Sequence, residues 1–279
     1  MNQYQSAYDA VLAQWPVPVD VLELPSEYGT TRVNACGPAS APPLVLLPGG
    51  FATSMVWFGN VAALSRTHRV YAVDVICDQG RSVNSGTPVD SLPTLMAWLD
   101  TVFDGLGIDN GEAALCGHSY GSWIALQYAL HAPSKVSRLA LLDPSQCFAG
   151  FDLGFLFRSL PALLHPTPRR VLANLARETD GAELDPAWLA LQQAGALAPR
   201  PKIVTARRPA AQALRTLTMP VLVVLAGRSK VHSIARVEAG ARAAIPDLTV
   251  RTLPEATHFT LFAEQAEAVN HELLAFLAE

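Results

Sequence analysis

Hydrophobic positions along the chain follow two alternating patterns. Short runs rich in Val and Leu recur at Leu44–Leu47, Val70–Val75, Ala113–Cys116, Val136–Leu142, Val221–Ala226 and Leu248–Leu253. Each is too short for a helix and mainly apolar, as strands buried on both faces of a parallel sheet are. Ahead of them, Val19–Leu24 and Thr30–Ala35 flank the turn Glu27-Tyr28-Gly29 and predict an antiparallel hairpin. Between the runs, helical spacing is found at Trp57–Leu64, Leu92–Leu106, Tyr120–His131, Ile234–Ala244 and Glu264–Leu277. Tyr4, Tyr8, Val11, Leu12 and Trp15 share one helix face and are expected to pack rather than to act. The pattern predicts an α/β fold, a mostly parallel eight-stranded sheet flanked by helices.

The rhythm fails between about Cys147 and Leu217. There Phe155, Leu156, Leu160, Leu163 and Leu164, and later Val171, Leu172 and Leu175, keep helical spacing with no strand between them. The reading is a core formed by residues 1–148 and 218–279, with a helical insertion over 149–217. A length of 279 residues accommodates a large domain with such an insertion.

Composition narrows the picture. An apolar content of 50% excludes general disorder, and 18 Gly with 21 Pro exclude a coiled coil. The net charge of −4 offers no footprint for nucleic acid, but it is the sum of +4 over the insertion and −8 elsewhere. Cys36, Cys77, Cys116 and Cys147 are widely separated, so neither a disulfide framework nor a zinc site is expected; a reducing cytoplasm fits. The N-terminal residues lack the basic and apolar regions of a secretory signal. The uncharged stretch Leu44–Leu64 is broken by Pro48-Gly49-Gly50, which argues against a membrane span.

The strongest chemical signal is Gly117-His118-Ser119-Tyr120-Gly121, between the strand Ala113–Cys116 and the helix that starts near Tyr120. A G-x-S-x-G sequence at a strand-to-helix switch describes a sharp turn that exposes the serine hydroxyl above the sheet. Glycine is required on both sides because a Cβ there would strike neighbouring backbone. The Tyr120 N–H, at a helix N-terminus, then points where an oxyanion would form.

With this turn in place the chain resembles an α/β-hydrolase with a helical cap, from the hairpin near Val19 to the last helix. The resemblance implies a second oxyanion donor after the third strand, in Leu46-Leu47-Pro48-Gly49-Gly50-Phe51, where Pro48 replaces the family's usual His and Gly50 or Phe51 would donate. Asp74-Val75-Ile76-Cys77-Asp78-Gln79-Gly80-Arg81-Ser82 resembles the family's D-x-x-G-x-G-x-S turn, one residue longer and with Cys77 in the first Gly position; Asp74 and Arg81 are read as structural. His258, in Glu255-Ala256-Thr257-His258-Phe259, matches the segment that carries the base. An imidazole of near-neutral pKa suits the task of taking the Ser119 proton. His118 is adjacent to Ser119 and reads as a packed elbow residue, while His68, His131, His165 and His271 read as surface or helix positions.

The acid departs from the family pattern. The usual carboxylate follows the strand Val221–Ala226, but the chain there reads Gly227-Arg228-Ser229-Lys230-Val231-His232-Ser233. Lys230 in that slot would oppose an imidazolium. The family's second solution places the acid after the preceding strand, where Asp143-Pro144 stands, and an acid there would fix the His tautomer. A Ser–His pair without an acid, or another carboxylate such as Asp78, stays open.

The resemblance therefore implies a serine hydrolase cleaving an ester or thioester through an acyl-enzyme on Ser119, with His258 as base, Asp143 as orienting acid, and the amides of Tyr120 and Gly50 or Phe51 as oxyanion hole. It implies no metal or organic cofactor. An acyltransferase or cyclising enzyme would use the same residues, and a ligand-binding member that has lost turnover is a third class. In the family the cap roofs the pocket; Phe148, Phe151, Phe155, Phe157 and Trp188 favour an apolar or aromatic substrate group. Nine basic residues in the insertion, opposed by five acidic ones, could guide a carboxylate, coenzyme A or an acyl-carrier protein. The expected partner is a small-molecule acyl substrate, with no nucleic acid and no membrane.

Overall fold

The computed structural model describes residues 3–109 and 111–279. Eight strands form one sheet: β1 (Asp20–Ser26), β2 (Gly29–Cys36), β3 (Pro43–Leu47), β4 (Arg69–Val73), β5 (Ala113–His118), β6 (Val136–Leu142), β7 (Val221–Ala226) and β8 (Leu248–Leu253). Their order is β1-β2-β4-β3-β5-β6-β7-β8. β1 and β2 form the antiparallel hairpin, β2 runs antiparallel to β4, and all later pairings are parallel. The order reverses between β3 and β5, so the crevice beyond their C-terminal ends is where an open α/β sheet receives a ligand.

Helices follow the strands: α1 (Gln3–Leu12), α2 (Val61–Leu64), α3 (Leu92–Gly105), α4 (Tyr120–His131), α5 (Leu153–Leu164), α6 (Pro168–Glu178), α7 (Pro186–Gly195), α8 (Ala211–Leu214), α9 (Ile234–Ala244) and α10 (Ala266–Ala278). Alternate strand residues feed two buried clusters. Val45, Leu47, Leu115, Leu139 and Val223 pack with Trp98 of α3, Trp123 and Tyr128 of α4 and Val237 of α9. Leu44, Leu46, Cys116, Leu142 and Val224 pack with Tyr8 of α1, Leu64 of α2 and Phe276 of α10. α4 is buried from Tyr120 to Ala129, the condition of a helix that is apolar all round.

Three expectations are corrected. β8 is an edge strand, half-exposed along its length, because among the described residues no strand pairs with it beyond β7; its Thr249 and Arg251 suit that position. The helix expected over 57–64 is a 3-10 turn, Ser54–Gly59, followed by the single turn α2. A Cβ on Gly59 would lie 2.6 Å from the Phe262 carbonyl oxygen, so this turn presses on the segment before α10 with no room to widen. His68 is buried rather than on the surface, and burial lowers its pKa.

From 143 to 220 the described residues contain helices and no ladder strand, in line with the break in the hydrophobic rhythm. The four cysteines are free. Among the described residues no helix is long and apolar enough to cross a membrane.

Candidate active site

Ser119 sits between β5 and α4 with φ 54° and ψ −113°, a region L-residues rarely occupy. The elbow is forced by close packing of backbone. A Cβ on Gly117 would lie 2.2 Å from the Gly121 carbonyl oxygen, and one on Gly121 would lie 2.3 Å from that of Leu47. The turn is pinned because the Ser119 N–H donates to the Leu142 carbonyl (2.9 Å). The Ser119 hydroxyl shares a hydrogen bond with Ser145 Oγ (3.1 Å).

Asp143 directly follows β6 with its own positive φ of 40°, and its N–H donates to the Val224 carbonyl (2.7 Å). The carboxylate is fully buried and accepts four hydrogen bonds. Oδ1 receives the Ala226 amide (3.2 Å) and His232 Nε2 (3.0 Å); Oδ2 receives the Ser229 hydroxyl (2.7 Å) and His258 Nδ1 (2.5 Å). Burial alone would raise its pKa, but His232 and His258, by charge and hydrogen bond, hold the carboxyl well below the usual range.

His258 stands in the loop between β8 and α10, where the Thr257 N–H donates to Thr260 Oγ1 (2.8 Å) and Ala256 accepts from the Arg228 amide (2.8 Å). Its ring lies 4.6 Å from the ring of His118 and edge-on to Phe259. His118 Nε2 donates to the His258 carbonyl (2.9 Å). Burial first, and then the neighbouring His258, lower the His118 pKa to about 3, so this ring is neutral at ordinary pH.

The structure thus brings Ser119, His258, Asp143, Tyr120 and Gly50 to one end of the sheet. The amides of Gly50 and Tyr120 have no hydrogen-bond partner among the described residues. Phe51 differs: held at φ 57°, it points its N–H at the Asp78 carboxylate (2.9 and 3.1 Å). Asp78 also accepts from the Gln79 amide (2.7 Å) and carries no bond to His258. Lys230 turns away from the imidazole. Its ammonium donates to the Arg177 carbonyl (2.6 Å) and pairs with Asp180 at the end of α6. Ser229 and His232, on either side of it, point inward instead.

Burial raises the Asp78 pKa to about 7, with its amide donors opposing the shift. A carboxyl whose pKa is raised on folding contributes stability that is present below about pH 4 and lost as pH rises through 7. Asp78→Asn removes the titration. Its melting temperature, relative to wild type, should therefore rise by a few degrees between pH 5 and pH 8. A difference constant with pH in thermal melts would show that this carboxyl does not titrate in that window.

Asp74 and Arg81 hold the turn after β4. Asp74 accepts from Ser54 N (2.8 Å), Ser54 Oγ (2.7 Å), Tyr8 Oη (3.0 Å) and Arg81 N (2.8 Å), while Arg81 pairs with Asp9 (2.6 Å).

A cavity of about 520 Å³ lies over Ser119, His118, His258 and Gly50. Phe51, Phe151, Phe155, Trp188, Phe259 and Phe262 line it, together with α5, α6 and α7 residues. Of the other aromatics expected to favour the pocket, Phe148 packs in the core and Phe157 is 75% exposed. Among the insertion's basic residues only Arg200 reaches the lining, with its guanidinium over the Phe51 ring. No sequence motif marks Ser145, Ser229 or His232.

The chain belongs to the alpha/beta hydrolase family, whose sequence profile matches residues 44–272. It is a hydrolase enzyme, similar over its whole length to carboxylesterases. The Bacillus subtilis carboxylesterase YbfK is 28% identical over 99% of this chain and 93% of its own length. Its crystal structure superimposes with a TM-score of 0.90, covering 99% of this chain and 97% of that one at 27% identity. The B. subtilis naproxen esterase structure gives a TM-score of 0.89 at 27% identity, over 98% and 97% of the two chains. A pimeloyl-[acyl-carrier protein] methyl ester esterase from Nitrosomonas europaea is 33% identical over 39% of this chain and 40% of its own.

Proposed function

We propose that this protein is a serine carboxylesterase acting through an acyl-enzyme. The observation that carries the reading is the hydrogen bond from His258 Nδ1 to buried Asp143 (2.5 Å), made by a ring that lines the same cavity as Ser119. That bond leaves Nε2 of the neutral ring as the free base.

The reaction follows from the arrangement. Rotation of the Ser119 side chain carries its hydroxyl from Ser145 toward His258. Oγ attacks the ester carbonyl carbon as Nε2 takes the proton. The carbonyl oxygen becomes an oxyanion facing the amides of Gly50 and Tyr120, the latter at the positive end of α4. Collapse expels the alcohol, which leaves with the proton from Nε2. Water then attacks the acyl-enzyme by the same route and releases the acid. Gly50 is the donor opposite Tyr120 because the Phe51 N–H is committed to Asp78.

The substrate is an ester or thioester with an apolar or aromatic group. A lining of Phe151, Phe155, Trp188 and Phe262 suits such a group, and the cavity is of the size that encloses a small organic molecule. The test is a fluorophosphonate probe followed by peptide mapping, run beside a panel of aryl esters. Phosphonylation of Ser119 and turnover of aryl esters are expected. An unlabelled Ser119 in folded protein would overturn the reading.

A further inference from the structure

Beyond the triad, the acid itself has a holder from another part of the chain. Asp143 has two oxygens, each able to accept two hydrogen bonds, and all four places are filled. His258 takes one place. Three remain to fix the carboxylate plane: the Ala226 amide, the Ser229 hydroxyl and the His232 ring. The last is almost wholly buried, and its Nδ1 has no hydrogen-bond partner among the described residues. Buried histidines ordinarily satisfy both nitrogens. Here one nitrogen is left unpaired while the other is spent on the carboxylate.

The loop explains why a histidine is needed. Asp143 stands at a positive φ, a conformation that neighbours must hold in place. Its carboxylate reaches across to the end of β7, where the chain has Ser229 and His232 and no acid of its own. The His232 backbone is meanwhile bridged to Phe151, and Asp152 N–H donates to Val231 (2.8 Å) just before α5. One short loop therefore grips both the acid and the entrance to α5.

We propose that His232 is a positioning residue of the esterase reaction: its Nε2–H clamps Asp143 Oδ1, so that Oδ2 meets His258 Nδ1. The proposal rests on the reading of Ser119, His258 and Asp143 as a catalytic triad. Losing a hydrogen bond to Oδ1 makes the carboxylate more basic and stabilises the protonated form of His258. The groups facing this pair are His118, which is neutral at ordinary pH, and Ser229. The Arg158–Glu178 pair and Lys230 lie on the cap side of the loop.

The experiment compares His232→Leu, His232→Gln and Asp143→Asn in the full-length enzyme with p-nitrophenyl acetate. Leucine removes the donor; glutamine keeps an N–H at a similar reach. His232→Leu should lower kcat by about 10- to 100-fold with KM within twofold, the size expected from a misplaced catalytic group. Its kcat/KM acid limb should move to higher pH by roughly half a unit or more. His232→Gln should recover kcat to within about fivefold of wild type. If His232→Leu does not fold, His232→Gln decides: a folded glutamine variant that has lost kcat by 10-fold or more overturns the clamp. A folded His232→Leu with wild-type kcat beside an inactive Asp143→Asn also overturns it and leaves the triad standing. A change confined to KM assigns the loop to α5 rather than to the acid, and overturns it too. Wild-type kcat in Asp143→Asn removes the acid assignment itself, and the role of His232 with it.

Discussion

Asp143→Asn should lower kcat by about 10⁴-fold while leaving KM within a few-fold of wild type. The size follows from tautomer chemistry rather than from lost charge alone. A carboxylate can only accept, so His258 must donate through Nδ1 and keep Nε2 bare (Nδ1 to Oδ2, 2.5 Å). An asparagine brings an NH₂ group into a place where four donors already converge: Ala226 N, His232 Nε2, Ser229 Oγ and His258 Nδ1. The Ala226 amide can only donate, so the asparagine oxygen takes the Oδ1 place and the NH₂ the Oδ2 place, where it faces a Ser229 hydroxyl that can turn to accept and His258 Nδ1. The His258 proton then moves to Nε2, and the ring can no longer take a proton from Ser119. Steady-state kinetics with an aryl ester checks this, and near-normal kcat would leave the enzyme without its acid. Stability follows a separate sign. The Asp143 pKa is depressed on folding, so its ionised form contributes stability that is present above the ordinary carboxylate value of about 4 and is lost as pH falls through the lower folded value. In acid melts the wild type should therefore lose part of its advantage over Asp143→Asn below pH 4.

The sheet was largely legible because burial on both faces writes short, mainly apolar runs into β3, β5, β6 and β7, and each of these lies where those runs are. β8 carries a similar run but sits at the edge, and sequence alone does not show how many neighbours a strand has. Ser119 is legible because an elbow that excludes every Cβ leaves glycines at fixed offsets. The support around Asp143 is different in kind. His232 is 89 residues away and meets the acid only because β6 and β7 are neighbours, a contact without local periodicity. The sequence Gly227-Arg228-Ser229-Lys230 announces the lack of an acid, and Lys230 in that slot looks like an unfavourable charge beside His258. In the fold the loop points Lys230 outward to Asp180, so the departure sets no ammonium against the His258 ring. Phe51 illustrates the same limit: whether its amide is free depends on Asp78, 27 residues on.

Ser119→Ala should reduce kcat by about 10⁶-fold, the residue left being what the amides of Gly50 and Tyr120 and the cavity walls supply without a nucleophile. The structure makes this a clean deletion. The substitution keeps the Cβ, and the elbow is held by backbone contacts, including the Ser119 N–H to Leu142 (2.9 Å), that do not involve the hydroxyl. Melting temperature should change by no more than a few degrees, since the one side-chain partner lost is Ser145. Ser145 is also the natural rival. Its hydroxyl is 3.1 Å from that of Ser119 and lines the same cavity. It lacks the elbow, however: it is not at a helix N-terminus, and its own N–H donates to the Ser119 carbonyl (3.3 Å). Ser145→Ala should consequently cost far less, about 10-fold or under, because it removes one hydrogen-bond partner of the Ser119 hydroxyl and no reacting atom. Measured side by side on one aryl ester, the two variants separate the roles. If Ser145→Ala proves the more damaging, or if Ser119→Ala still shows a burst of acylation, the nucleophile is Ser145 and the chemistry assigned to the elbow fails.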